Sequence, residues 1–146
     1  MKKSILAWTL FTAGIANAAG LTVSATHDND TRKEGVRVEV SKQVRGVSFP
    51  VVFGVTHVSG VYTRYNVSAE KSMFNLGPIG LKVTSGGVYQ NSNVGADGYG
   101  LTVGAKATLP LSKSVDLVGG VDRFFGQDRI KGYNATVGSL GVSVKF

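Results

Sequence analysis

The stretch that decides the fold is Ser139-Leu140-Gly141-Val142-Ser143-Val144-Lys145-Phe146. Side chains alternate between the two faces of a strand, so Leu140, Val142, Val144 and Phe146 share one face. Ser139, Gly141, Ser143 and Lys145 share the other. An apolar face of this kind must be covered by something. A soluble domain covers it with a second layer. A membrane barrel covers it with lipid, turns the polar face to the lumen, and sets the aromatic residue at the water interface.

The opposite end points to export. Lys2 and Lys3 precede an apolar run from Ile5 to Ile15, broken only by Thr9, Thr12 and Gly14, and Ala16-Asn17-Ala18 follows. A charged start, a short apolar run and an A-x-A site form the pattern of a cleaved secretory signal. The run is too short to cross a bilayer as a helix. Cleavage is expected after Ala18, and residues 1–18 are set aside together with Trp8, the single Trp.

The remaining 128 residues suffice for one domain. There is no Cys, which excludes a disulfide framework and thiol chemistry. Without Lys2 and Lys3 the chain keeps 14 basic and 9 acidic residues, a net charge of +5. These charges are scattered, with no basic run and no interleaved aromatics, so a nucleic-acid partner is not expected. Gly is frequent at 20 and Pro scarce at 3, which in the company of many Val, Thr and Ser favours strands and turns. No stretch after residue 18 reads as an apolar helix of spanning length. Insertion in a membrane would therefore require a closed barrel, which satisfies every backbone group between strands.

Period-two patterning predicts eight strands. Leu21, Val23 and Ala25 alternate with Thr22, Ser24 and Thr26, and a polar loop covers 27–33. Val36, Val38 and Val40 alternate with Arg37, Glu39 and Ser41. The third strand covers 49–58, with Val51, Phe53 and Val55 on one face. The fourth covers 62–74, with Arg64, Asn66, Ser68 and Glu70 on the polar side. Strands five and six cover 79–89 and 99–109, the sixth being the cleanest alternation in the chain. The seventh, 115–125, is less regular, because Val118 and Phe124 fall on its polar face. The eighth runs to Phe146 after a polar loop at 126–132. A tilted membrane strand needs about 9–11 residues, so eight strands leave about 5–7 for each connection. With the N-terminus in the periplasm, the connections near Asp30, Gly60, Val94 and Asp128 face outside, and those near Gly46, Gly77 and Ser112 face the periplasm.

A soluble lipocalin-like barrel alternates as well, with its faces reversed. Three features favour the membrane form. The polar set, Arg37, Glu39, Arg64, Glu70, Lys82, Lys106, Asp116, Asp122 and Lys145, is nearly balanced at five positive and four negative, as a closed lumen requires. Gly54, Gly100, Gly104, Gly120 and Gly141 lie on that same face, where a narrow interior needs small residues. Phe49, Tyr62, Phe74, Tyr89, Tyr99, Phe125 and Phe146 gather near strand ends, as in two interfacial girdles. The expected fold class is therefore all-β, an eight-stranded antiparallel up-and-down transmembrane β-barrel over 19–146.

The closing stretch resembles the C-terminal β-signal of outer-membrane proteins, with Ser139, Gly141, Val144 and Phe146 in its four defined places. The whole chain after residue 18 resembles the small eight-stranded outer-membrane barrels of Gram-negative bacteria, the outer membrane protein X and YfaZ-like porin-family proteins. The resemblance implies delivery by periplasmic chaperones, insertion by the barrel-assembly machinery reading 139–146, and residence in the outer membrane as a monomer among lipid and lipopolysaccharide. It implies no cofactor and no metal.

An eight-stranded interior is just wide enough for side chains to fill. Ion pairs are expected of Arg37 or Arg64 with Glu39 or Glu70, and of Lys106 with Asp116 or Asp122. A filled lumen suits a structural or surface-interaction role, with a narrow small-solute or ion pore as the alternative. Arg32, Lys33, Arg123, Arg129 and Lys131 lie near the outer rim, within reach of lipopolysaccharide phosphates. A third reading is enzymatic. His57-Val58-Ser59 resembles the His-x-Ser pair of the PagL-type lipid A deacylases, which pair a base with a hydroxyl nucleophile and a Glu. The Asn that follows in that family is Gly60 here, and Glu70 is expected in the lumen, so catalysis is not the expectation. A soluble periplasmic binding barrel is the remaining alternative.

Overall fold

The computed structural model describes residues 20–93, 97–126 and 135–146. The expected signal peptide at 1–18, the outer connection at Val94 and Asp128, and Arg129 and Lys131 lie outside the described residues.

Eight antiparallel strands run in sequence order: β1 (Gly20–Asp28), β2 (Lys33–Gln43), β3 (Pro50–Val58), β4 (Tyr62–Leu76), β5 (Ile79–Ser92), β6 (Gly98–Pro110), β7 (Val115–Gly126) and β8 (Thr136–Lys145). Each pairs with its chain neighbours, and β8 returns to pair with β1, so no edge is left open. There is no helix among the described residues. Closure satisfies the backbone groups of every strand from both sides, which is what lipid demands.

The strands are steeply staggered. Gly20 at the start of β1 lies level, across the ladders, with Ser41, Val52, Ser68, Gly86, Thr102 and finally Phe124, two residues from the end of β7. Moving around the wall therefore climbs from one end of the barrel to the other. Gly20, Phe146 and the turns at 44–49, 77–78 and 111–114 share one end, here the terminus end; the C-terminal ends of β1, β3, β5 and β7 share the other, the loop end.

β4 and β5 are the longest strands, at 15 and 14 residues. They are joined by Gly77-Pro78, where Gly77 has φ of +60°. A positive φ followed by a proline-fixed negative one is the pattern of a type II′ turn, whose twist matches that of the flanking strands. A register shift at Met73 interrupts the pairing near this tip.

The faces divide as alternation requires. Val23, Val67, Leu101, Val103, Val121, Leu140 and Phe146 are exposed on the outer wall. Arg37, Glu39, Arg64, Glu70, Lys106, Asp116 and Asp122 are buried on the inner one. Polar-in and apolar-out is the reverse of a lipocalin.

Four details differ from the sequence reading. Strand β1 runs on to Asp28, which is 1% exposed rather than part of a solvated loop. Strand β2 begins at Lys33, and β5 continues to Ser92, which shortens the connection that follows. Tyr62 does not join an outer girdle; it is 2% exposed and shares the inner face with Arg64. Finally, the interior is not wholly polar. Val52, Val58, Val88, Val118, Phe124 and Val137 are buried there, which accounts for the irregular pattern of β7.

Candidate functional site: the barrel lumen

The lumen is built in tiers from the loop end downward. Arg64 of β4 sits between two rings, its guanidinium carbon 4.0 Å from the centre of Tyr62 and 4.3 Å from that of Phe124. Cation–π contacts of this kind gain strength when water is excluded. Arg64 Nε donates to Gln90 Oε1 at 2.6 Å, and its Nη2 lies 3.7 Å from Asp28 Oδ2. The Tyr62 hydroxyl donates to that same oxygen at 2.6 Å. The other oxygen, Asp28 Oδ1, accepts the backbone N–H groups of Asp30 and Thr31. One carboxylate thus ties the β1–β2 loop, where Arg32 has φ of +55°, to the plug beneath it. Val88, Phe124, Ala135 and Val137 pack as an apolar cluster at the same level. Together these groups close the loop end.

In the middle tier Arg37 of β2 meets Asp122 of β7 in a buried, close ion pair, and Arg37 Nε donates to Thr56 Oγ1 at 3.0 Å. Gly104 makes room for this pair. A Cβ there would collide with Asp122 Oδ1 and lie 2.9 Å from Thr84 Oγ1. A cavity of about 10 Å³ lies at this level, room for about one water.

Below it, Lys106 of β6 reaches Glu39 at 2.8 Å and Glu70 at 3.5 Å, and Lys82 holds the other oxygen of Glu70 at 3.1 Å. At the terminus end Lys145 bonds Asp116 Oδ2 at 3.0 Å, and Thr22 donates to Ser143 at 2.9 Å. The lumen widens here, to a cavity of about 90 Å³ and then a mouth of about 330 Å³.

All nine charged residues named from the sequence lie on the inner wall, seven of them buried; Lys82 and Lys145 keep a third and a half of their side chains exposed. Their pairing is a correction. Arg37 takes Asp122, not Glu39 or Glu70. Arg64 turns to Asp28. Lys106 takes the two Glu residues, and Asp116 goes to Lys145. The stagger decides this, because residues adjacent along a strand face partners on distant strands. Four contributors were not among the network residues expected from the sequence: Asp28, Tyr62, Gln90 and Phe124. A signal existed for each. Asp28 continues the inward series Thr22, Ser24, Thr26, and Tyr62 precedes Arg64 by two.

The outer wall carries the other candidates. His57 and Ser59 are exposed near the loop end, and His57 Nδ1 contacts Thr63 Oγ1 at 2.9 Å. Glu70 lies inside the lumen, engaged by two lysines, so these three residues are not brought together. Ser139 and Gly141 face inward on β8, whereas Val144 and Phe146 face outward, Phe146 at 78% exposure. Arg123 is exposed on the outer wall of β7, where its Nη1 donates to Thr136 Oγ1 at 2.7 Å. Tyr89 stacks near Tyr65 and Tyr99 on that wall, at 6.4 and 5.0 Å between ring centres, an aromatic patch toward the loop end. No group of three or more His, Cys, Asp or Glu gathers as a metal site among the described residues.

Solved structures share this architecture. Neisserial surface protein A superposes with a TM-score of 0.60 at 15% identity, covering 87% of this chain and 95% of that one. The N-terminal β-barrel domain of Pseudomonas aeruginosa OprF does so at 0.62 and 14%, covering 88% and 98%. The fold is that of an eight-stranded transmembrane β-barrel. A de novo designed transmembrane β-barrel superposes at 0.67 with 15% identity, covering 89% and 96%. No family model matches the chain, and no curated protein matches its sequence. The barrel fold at this level of identity is set by patterning and closure, which unrelated sequences satisfy equally well.

Proposed function

We propose that this chain is an integral outer-membrane barrel with a closed, side-chain-filled lumen, acting as a structural or surface-interacting protein of the Gram-negative envelope. The observation that supports it is the Arg64 plug above the Arg37–Asp122 pair, within a wall that is apolar outside and charged inside. A general porin needs an open aqueous path, whereas the buried Arg37–Asp122 pair crosses the middle tier beside a cavity of about 10 Å³. Similarity to a protein named as a surface protein is in keeping with this reading.

The same reading includes export through a signal cleaved after Ala18, passage with periplasmic chaperones as an unfolded monomer, and recognition of Ser139, Gly141, Val144 and Phe146 by the barrel-assembly machinery. In this reading Arg123, an exposed cation on the outer wall, would meet a lipopolysaccharide phosphate; replacing it with Ala is expected to lower the lipopolysaccharide that copurifies with the barrel.

The test is to fold the mature chain in detergent, compare boiled and unboiled samples on a denaturing gel, and record conductance across a planar bilayer. A heat-dependent shift with no steady conductance is the expected result. Solubility without detergent and no shift would reverse the faces and return the lipocalin-like alternative. Steady conductance would favour the narrow pore. Lipid A from expressing cells is expected to keep its acyl chains, with Ser59→Ala as control; loss of an acyl chain in the parent alone would establish the deacylase.

A further inference from the structure

The two ends of the barrel carry charge differently. At the loop end both signs are exposed, Asp30, Glu34 and Asp97 against Arg32 and Lys33. At the terminus end the carboxylates Glu39, Glu70 and Asp116 are buried, turned inward and each engaged by a lysine. Four cations at this end have no such partner. Arg45, Lys71 and Lys113 are exposed and Lys42 is half-buried. None of the four forms an ion pair among the described residues.

Three of them gather on one side. Lys42 continues the outward series of Val36 and Val38 on β2. It pairs in register with Val51 of β3, which pairs with Ala69 of β4. Lys71 lies two residues beyond Ala69 on the same outward face. Strand spacing sets Lys42 and Lys71 about 12 Å apart along the backbone surface, so two long lysine stems can meet on one headgroup. Arg45 stands at the apex of the turn between β2 and β3. That turn is closed by Val47 N–H on Val44 O at 3.1 Å and by Gln43 Nε2 on Val47 O at 2.7 Å, with Gly46 at φ of +84°. Between the two lysines β3 turns Val51 and Phe53 outward, and Phe49 and Phe74 are exposed at the same end.

The patch is basic at the rim and apolar immediately beside it. A soluble acidic partner would match the charge alone. A lipid with an anionic headgroup matches both parts, because its chains continue onto the apolar wall. We infer that the β2–β4 side of the terminus end binds an anionic phospholipid, its phosphate met by Lys42, Arg45 and Lys71 and its acyl chains lying along Val51 and Phe53. The inference rests on the barrel being embedded in lipid; with the termini on the periplasmic side, this end meets the phospholipid leaflet.

The experiment is native mass spectrometry of the mature chain refolded in neutral detergent with equal amounts of phosphatidylglycerol and phosphatidylcholine. Folding is checked first by the gel shift of unboiled samples. Retention of phosphatidylglycerol is expected at least fivefold above that of phosphatidylcholine. The variant carrying Lys42→Gln, Arg45→Gln and Lys71→Gln should lose this preference, to less than twofold, while still showing the gel shift. Lys42→Arg with Lys71→Arg, which keeps both charges, should retain it. Equal retention of the two lipids by a gel-shifted parent overturns the inference alone, as does an undiminished preference in the folded triple variant. A parent with no gel shift overturns the barrel reading, and this inference with it.

Discussion

Arg37 and Asp122 stand 85 residues apart in the chain and form one buried ion pair across the lumen. Each would carry a desolvation cost of several kcal/mol if left alone. Removing one partner is therefore far worse than removing both. Arg37→Ala or Asp122→Ala alone is expected to destabilise the barrel by about 3–5 kcal/mol, while the double change to Met and Leu should cost much less. Urea unfolding in lipid vesicles, followed by loss of the fast-migrating gel form, measures this; equal losses in single and double variants would show that the pair is not coupled.

The plug should be separable from the scaffold. Arg64 is held between the rings of Tyr62 and Phe124, with Gln90 Oε1 at 2.6 Å and Asp28 Oδ2 at 3.7 Å. Phe124→Ala removes one ring and part of the apolar cluster. The variant is expected to lose about 3–5 kcal/mol, as buried Phe-to-Ala changes do, and to show conductance in planar bilayers that the parent lacks. A folded Phe124→Ala barrel that stays silent would place the barrier lower, at the Arg37–Asp122 tier.

Gly104 tests how tightly the middle tier is filled. Because a Cβ there would meet Asp122 and Thr84, Gly104→Val should either prevent folding or expel Asp122 from its pair with Arg37. Its stability is expected to fall at least as far as that of Asp122→Ala, in the same urea assay. A Gly104→Val barrel as stable as the parent would mean that the lumen is wider than described.

The two faces respond oppositely to charge. Val121 lies mid-strand on the outer wall at 56% exposure, between two inward-facing positions that include Asp122. Val121→Lys is expected to cost about 2–4 kcal/mol in a bilayer, the range for a lipid-facing cation near mid-depth. A neutral outcome would contradict lipid contact at this wall.

Phe146, exposed beside the outward-facing Val144, makes no described ion pair or ring contact that the fold depends on. Deleting it should change the stability of barrels refolded in detergent by less than about 1 kcal/mol yet sharply lower the amount reaching the outer membrane in cells. Equal losses in both assays would assign Phe146 to stability rather than to assembly.

Sequence alone determined which residues turn inward. In a strand the face is a matter of odd or even position, so Glu39, Lys106 and Asp116 could be assigned to the lumen with no knowledge of their partners. The same local rule located eight strands and the apolar wall; the reading missed Asp28, where β1 outruns its pattern, and Tyr62, which was expected in an outer girdle and faces inward. Tertiary structure decided what each inward residue meets. Pairing depends on the stagger accumulated around the closed wall, to which every turn contributes and which no local window contains. That stagger brings Asp122 to Arg37, sends Arg64 between Tyr62 and Phe124, and sets Asp116 beside Lys145.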